Sequence, residues 1–112
     1  MSPAERRRER RLDVDIGAAL FYGERAVPCR VLNICSKGFL IESDTRFPIG
    51  EAVSLRVPLY PPLTIDCIVE IRHVNADRVG ALVTRISGED QAICARFLVE
   101  QKRARDAQAV CV

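Results

Sequence analysis

The sequence predicts an all-β domain with one helix, in which six short antiparallel strands close into a small barrel and a C-terminal helix plugs or flanks it. Three observations predict this. Apolar residues recur at period two along most of the chain from residue 12 to residue 86. Turn-forming residues interrupt that alternation at intervals suited to short hairpin strands. The period becomes helical only once, after Ser87.

Each element follows from those signals. In the first strand Val14, Ile16, Ala18 and Leu20 alternate with Asp13, Asp15, Gly17 and Ala19, and Tyr22-Gly23-Glu24-Arg25 turns the chain. Val27 to Leu32 forms the second strand. Asn33-Ile34-Cys35-Ser36-Lys37-Gly38 breaks the alternation, and Phe39 to Ile41 resumes it as a short third strand. Ser43 to Gly50, with Pro48 and Gly50, is loop. Val53, Leu55 and Val57 face one way and Ser54 and Arg56 the other, in a fourth strand ended by Pro58 and the Pro61-Pro62 pair, because proline cannot donate to a ladder. In the fifth, Leu63, Ile65, Cys67, Val69 and Ile71 alternate with Thr64, Asp66, Ile68, Glu70 and Arg72. His73 falls on the apolar parity at its end, the place of a satisfied edge or core residue. Asn75-Ala76-Asp77 turns the chain into a sixth strand, Val79 to Ile86.

Ser87-Gly88-Glu89-Asp90 resembles a capping box, with Ser87 as N-cap and acidic residues where the helix dipole favours them. Ile93, Cys94, Phe97 and Leu98 then make one apolar stripe that must lie on something. The expected organisation is a single domain: an arm over residues 1–11, a barrel over 12–86, a helix over 87–102 and a tail over 103–112.

Composition narrows the function. With 112 residues, 48% apolar and 29% charged, the chain suits one globular domain. No apolar run reaches the length of a membrane span, and the basic N-terminus has no apolar segment behind it to act as a secretory signal, so a cytoplasmic protein without membrane insertion is expected. Cys29, Cys35, Cys67, Cys94 and Cys111 lie too far apart for a zinc knuckle or redox dithiol, and His73 is the one histidine, so neither a metal nor a cofactor is expected. Buried thiols acting as small hydrophobes fit better. Catalysis is disfavoured: there is no nucleophile, base and orienting group in sequence, Asp13 and Asp15 read as a solvated strand face, and no phosphate loop or dinucleotide fingerprint occurs.

The charge is unevenly placed. Arg6, Arg7, Arg8, Arg10 and Arg11 against Glu5 and Glu9 leave residues 1–11 at +3, whereas twelve cations and thirteen carboxylates leave the remainder at −1. Fifteen of the seventeen basic residues are Arg, whose planar fork can hold a phosphate or a guanine edge and stack on a base. Such an arm can close over a ligand, while the turn at Asn33 to Gly38 supplies an amide, small polar groups and a glycine that lets a backbone approach. Together they describe a pocket for something anionic with hydrogen-bonding edges.

These residues also match a known pattern. Arg7-Arg8-Glu9-Arg10-Arg11 contains an R-x-x-x-R pair, Arg7 and Arg11, followed by a Leu-x-Val-x-Ile strand, and 22 positions after Arg11 comes Asn33-x-Cys35-x-x-Gly38. The arrangement resembles the bipartite signature of the PilZ domain family, R-x-x-x-R followed by D/N-x-S-x-x-G. Pro48-Ile-Gly50-Glu51, Arg78-Val-Gly80 and the helix start at Ser87 are similar to the family's later segments, so the resemblance covers roughly residues 5 to 100.

The resemblance implies a six-stranded antiparallel barrel with a C-terminal helix that binds the bacterial second messenger cyclic di-GMP without catalysis. It implies that Arg7 and Arg11 grip guanine edges and phosphates, and that Asn33 and the main chain up to Gly38 meet a guanine. Cys35 stands in the place of the family's Ser, and a thiol is a poor donor and acceptor beside a hydroxyl. A cation just before the pair resembles the arrangement that accepts an intercalated nucleotide dimer, so Arg6, with Arg8 and Arg10 near, is expected to bring two nucleotides per chain. Ordering of the arm would alter a surface offered to a downstream protein partner. Two other readings stay open: a PilZ-like interaction protein that binds no nucleotide, and a small-barrel nucleic-acid binder. Against the last stand a near-neutral barrel and six scattered aromatic residues.

Overall fold

The computed structural model describes residues 12–35 and 37–110, with side chains described through Ala104. Six strands are present: β1 (Leu12–Tyr22), β2 (Arg25–Ile34), β3 (Gly38–Glu42), β4 (Ala52–Tyr60), β5 (Leu63–Asn75) and β6 (Arg78–Ile86), followed by a helix, α1 (Gly88–Val110). They close in the order β1-β2-β3-β6-β5-β4 with every pair antiparallel. Closure leaves no open sheet edge to template aggregation.

Period two becomes an inside and an outside. Leu20, Val31, Ile41, Leu55, Ile65 and Ile71 are all completely buried in the barrel, while Asp15, Arg30, Arg56 and Asp66 alternate onto the outer surface. Gly23 turns β1 into β2 at φ 62°, a conformation that glycine adopts without strain. The helix begins as the capping signal predicts. The Asp90 amide donates to Ser87 Oγ at 3.0 Å, and Asp90 Oδ2 accepts from the Asp66 amide at 3.0 Å, tying the first turn of α1 to β5. Phe97 is buried, with its ring edge-on to Tyr60 at 5.5 Å.

Several boundaries differ from the sequence reading. The helix runs on to Val110 rather than stopping at residue 102, because the Arg, Ala, Asp and Gln residues that follow include strong helix formers and no Gly or Pro. Strand β4 continues through Pro58 to Tyr60; its pairing with β5 shifts register between Val57 and Tyr60, an irregularity at which a residue without an N–H is tolerated. Strand β2 extends to Ile34 and β3 begins at Gly38, so Asn33 lies in a strand and the turn is shorter than expected. His73 is exposed rather than inward-facing, because a register shift between Ile71 and His73 reverses the side-chain parity at the end of β5.

Candidate functional site

A cleft of about 490 Å³ opens on the outside of the barrel between the β2–β3 connection and the β5–β6 hairpin. Asn33, Cys35 and Gly38 line one wall, and Arg72, His73 and Arg78 line the other. Arg6, Arg7, Arg8, Arg10 and Arg11, the arm residues singled out in the sequence, lie outside the described residues, as does Cys111.

The first wall is built by short-range hydrogen bonds. Asn33 is paired across strands with Asp13, and its Nδ2 donates to Asp13 Oδ1 at 2.9 Å. The Cys35 amide donates to the Gly38 carbonyl at 3.0 Å, and the Cys35 thiol donates to the same oxygen with Sγ 3.5 Å away. The thiol therefore closes the turn as well as lining the cleft, and its weak bond is one that a hydroxyl could also make.

Gly38 answers to packing as much as to any ligand. It is buried, and a Cβ there would collide with the Ala81 carbonyl oxygen and come within 3.2 Å of Leu82 Cα. The Val83 amide donates to the Lys37 carbonyl at 2.8 Å, completing the close approach of β3 to β6. Only a residue without a side chain lets these backbones meet.

The opposite wall is cationic and was not legible in the sequence. Arg78 Nε lies 3.8 Å from Glu42 Oε2 and 3.7 Å from Asp77 Oδ1, too long for hydrogen bonds, whereas Arg72 Nη1 donates to Glu70 Oε2 at 2.9 Å. His73 stands where a side chain at Gly80 would go, its Cδ2 only 3.2 Å from the position of such a Cβ. Arg72, His73 and Arg78 follow Asn33 by about 40 residues. The one available signal was Arg78-Val-Gly80, which the sequence offered only as similar to a later segment of the family.

The thiols of the barrel and helix are chemically quiet. Burial pushes Cys29 up to about 11, Cys67 to about 12 and Cys94 to about 11, with Asp90 adding to the rise at Cys94. At neutral pH they are protonated and poor nucleophiles. Among the described residues no group of three or more His, Cys, Asp and Glu side chains is placed to hold a metal.

An Asn-x-Cys-x-x-Gly turn set on a closed barrel and facing a cationic wall is the frame within which comparison with known proteins becomes informative. The family model of the PilZ domain matches residues 5–100. This chain belongs to the PilZ domain family. PilZ domains are receptors for cyclic di-GMP and are generally non-catalytic. Among solved structures, the PilZ domain of YcgR from Escherichia coli, whose structure contains c-di-GMP, superposes with a TM-score of 0.75 at 12% identity, covering 96% of this chain and 99% of that one. The Bacillus subtilis inhibitor of motility MotI/DgrA superposes with a TM-score of 0.76 at 18% identity, covering 93% of this chain. This chain spans 57% of MotI/DgrA. An uncharacterised Legionella protein gives 0.51 at 17% identity, with coverages of 89% and 98%. These identities establish a shared fold. A search of curated protein sequences finds no match. No helix among the described residues is long and apolar enough to cross a membrane.

Proposed function

We propose that this PilZ domain is a cytoplasmic, non-catalytic receptor that binds cyclic di-GMP in the cleft between the β2–β3 connection and the β5–β6 hairpin. The observation that carries the proposal is the placement of Asn33, Cys35 and Gly38 opposite Arg72, His73 and Arg78 across one cleft. Asn33 gives its amide N–H to Asp13, which leaves its Oδ1 to accept from a guanine N–H. Arg7 and Arg11 close over the ligand from the arm, where a guanidinium fork suits guanine O6 and N7 as well as phosphate oxygens. Arg6 brings a further positive charge, enough to favour an intercalated pair of nucleotides with four phosphates over a single molecule with two. Cys35 holds the turn, so its replacement of the family's Ser is compatible with binding.

Calorimetric titration with cyclic di-GMP, with GTP and duplex DNA as controls, tests this. The expected result is saturable binding of cyclic di-GMP alone, at two nucleotides per chain, falling to one for Arg6→Leu. Saturation at one ligand in the wild type rejects the paired ligand. Absence of heat rejects the receptor reading and leaves an interaction module without nucleotide; binding of the DNA points to the nucleic-acid reading.

A further inference from the structure

A second cavity of about 760 Å³ lies between β6 and α1. It shares Cys35, Lys37, Phe39 and Leu82 with the nucleotide cleft, so one wall serves both. Its helical wall is Gln91, Cys94, Ala95, Leu98 and Val99, the i, i+3, i+4, i+7, i+8 pattern of a single stripe. This is not the stripe that seats the helix most deeply. That one centres on Phe97, buried beside Tyr60, with Ile93 packed on the same core. Cys94 and Leu98 of the groove stripe also touch the core, but Ala95 is exposed and Val99, 49% exposed, is the large apolar residue that the barrel leaves uncovered among the described residues of the helix.

Charge indicates what fits there. Among the described residues Arg85 and Lys37 are the charged ones that line the groove and no carboxylate does; Lys37 has an interaction of its own, which leaves Arg85 as the principal cation of the rim. Lys102 and Arg103 follow on the helix, while Glu100 is engaged by the Tyr60 hydroxyl at 2.6 Å and by Arg96 at 3.4 Å. The chain's own arm, at +3, would meet like charge here. An apolar floor with a cationic rim is complementary to an amphipathic segment whose polar face is acidic.

We infer that the groove between β6 and α1 docks an acidic amphipathic segment of a partner protein, and that the nucleotide cleft is coupled to it through the shared β2–β3 wall. The coupling rests on the receptor reading above; the docking does not.

The test uses the full chain and two dye-labelled synthetic peptides of about 15 residues, long enough for a helix to be induced. Both have leucines at i, i+3, i+4 and i+7, one with glutamates elsewhere and its twin with lysines. Fluorescence anisotropy without nucleotide is expected to show the glutamate peptide binding at least tenfold tighter than its twin. Amide chemical shifts are expected to move along residues 82–86 of β6 and 91–99 of α1. Val99→Glu and Ala95→Glu, both at exposed positions, are expected to abolish this binding with unchanged circular dichroism, and Arg85→Glu to bring the two peptides to parity. Equal binding of the twins, shifts elsewhere, or filling of the groove by a second copy, seen as concentration-dependent dimerisation blocked by Val99→Glu, overturns the docking. With saturating cyclic di-GMP the glutamate peptide's affinity is expected to change at least threefold, and the peptide to change nucleotide affinity by the same factor. An unchanged affinity in nucleotide-loaded protein overturns the coupling alone. A chain that binds no cyclic di-GMP overturns the receptor reading and the coupling, and leaves the docking to its own measurement.

Discussion

Of the arginine-lined cavities on the barrel exterior, the trough over β1 is larger than the cleft beside Asn33 yet less suited to an anion. The trough over β1, about 610 Å³, is lined by Gly17 and Ala19 with Arg30 and Arg56 beside them. Arg30 grips Asp15 with both Nε, at 2.7 Å, and Nη2, at 2.6 Å. Arg56 donates to Asp66 at 2.7 Å and also lies 5.1 Å from the centre of the Phe21 ring. In the cleft, about 490 Å³, Arg72 donates to Glu70 at 2.9 Å, but Arg78 has no carboxylate of the described residues nearer than 3.7 Å. Cavity size is thus a poor guide to function; what matters is whether the guanidinium groups are already committed. A phosphate entering the trough finds both guanidinium groups held by short charge-assisted bonds, whereas one entering the cleft can reach Arg78 without displacing such a bond.

The largest effect expected from breaking this contrast is structural. Gly38→Ala forces a Cβ into the Ala81 carbonyl at the β3–β6 seam that supports the cleft, with no equivalent constraint in the trough, where a Cβ on Gly17 meets nothing within 4 Å. Chemical denaturation should show Gly38→Ala destabilised by about 3 kcal/mol or more, the range of severe backbone overpacking, and Gly17→Ala changed by less than about 0.5 kcal/mol.

Next in size is nucleotide affinity. Arg11→Ala should weaken cyclic di-GMP binding by about 2 kcal/mol, as for loss of a charge-assisted bond. Arg78→Ala should cost about 1 kcal/mol or more, whereas Arg30→Ala in the trough should leave calorimetric affinity unchanged. Equal effects of Arg30 and Arg78 would erase the distinction between the two cavities.

A third prediction concerns alkaline stability. Cys29, Cys67 and Cys94 titrate higher in the folded protein than the unperturbed thiol value of 9.0. Below that value both states are protonated and the favourable burial of the thiols is fully present. As pH rises from about 9 towards 11 to 12, the unfolded chain gains thiolates first, so stability falls across that window. Cys29→Ala should flatten the fall when denaturation midpoints are compared between pH 8 and pH 11. The smallest effect is expected at Cys35→Ser. A hydroxyl can keep the bond to Gly38, so affinity should stay within about 0.5 kcal/mol, below the worth of a typical hydrogen bond. A large loss of binding would mean that the thiol is positively required.

By itself the sequence determined whatever local geometry controls. Alternation of Ile65 to Ile71 specified a strand and its inward face, with Leu63 at its start left exposed, Gly23 a turn, and Ser87 with Asp90 a helix start, because each signal acts over a few residues. The Asn33 to Gly38 segment was legible for the same reason, as half of a motif with its partner in the arm. What the tertiary structure alone decided depends on pairings between distant segments. Closure of β1 on β4 and of β3 on β6 brings Arg72, His73 and Arg78 across from Asn33. A register shift in β5 turned His73 outward against its parity, and the tight β3–β6 seam made Gly38 a packing requirement. Helix α1 kept an apolar stripe whose outer residues, Ala95 and Val99, the barrel leaves exposed. Sequence periodicity marks a residue as apolar or polar along its own element; which neighbour it meets is set by long-range register, which a local pattern does not encode.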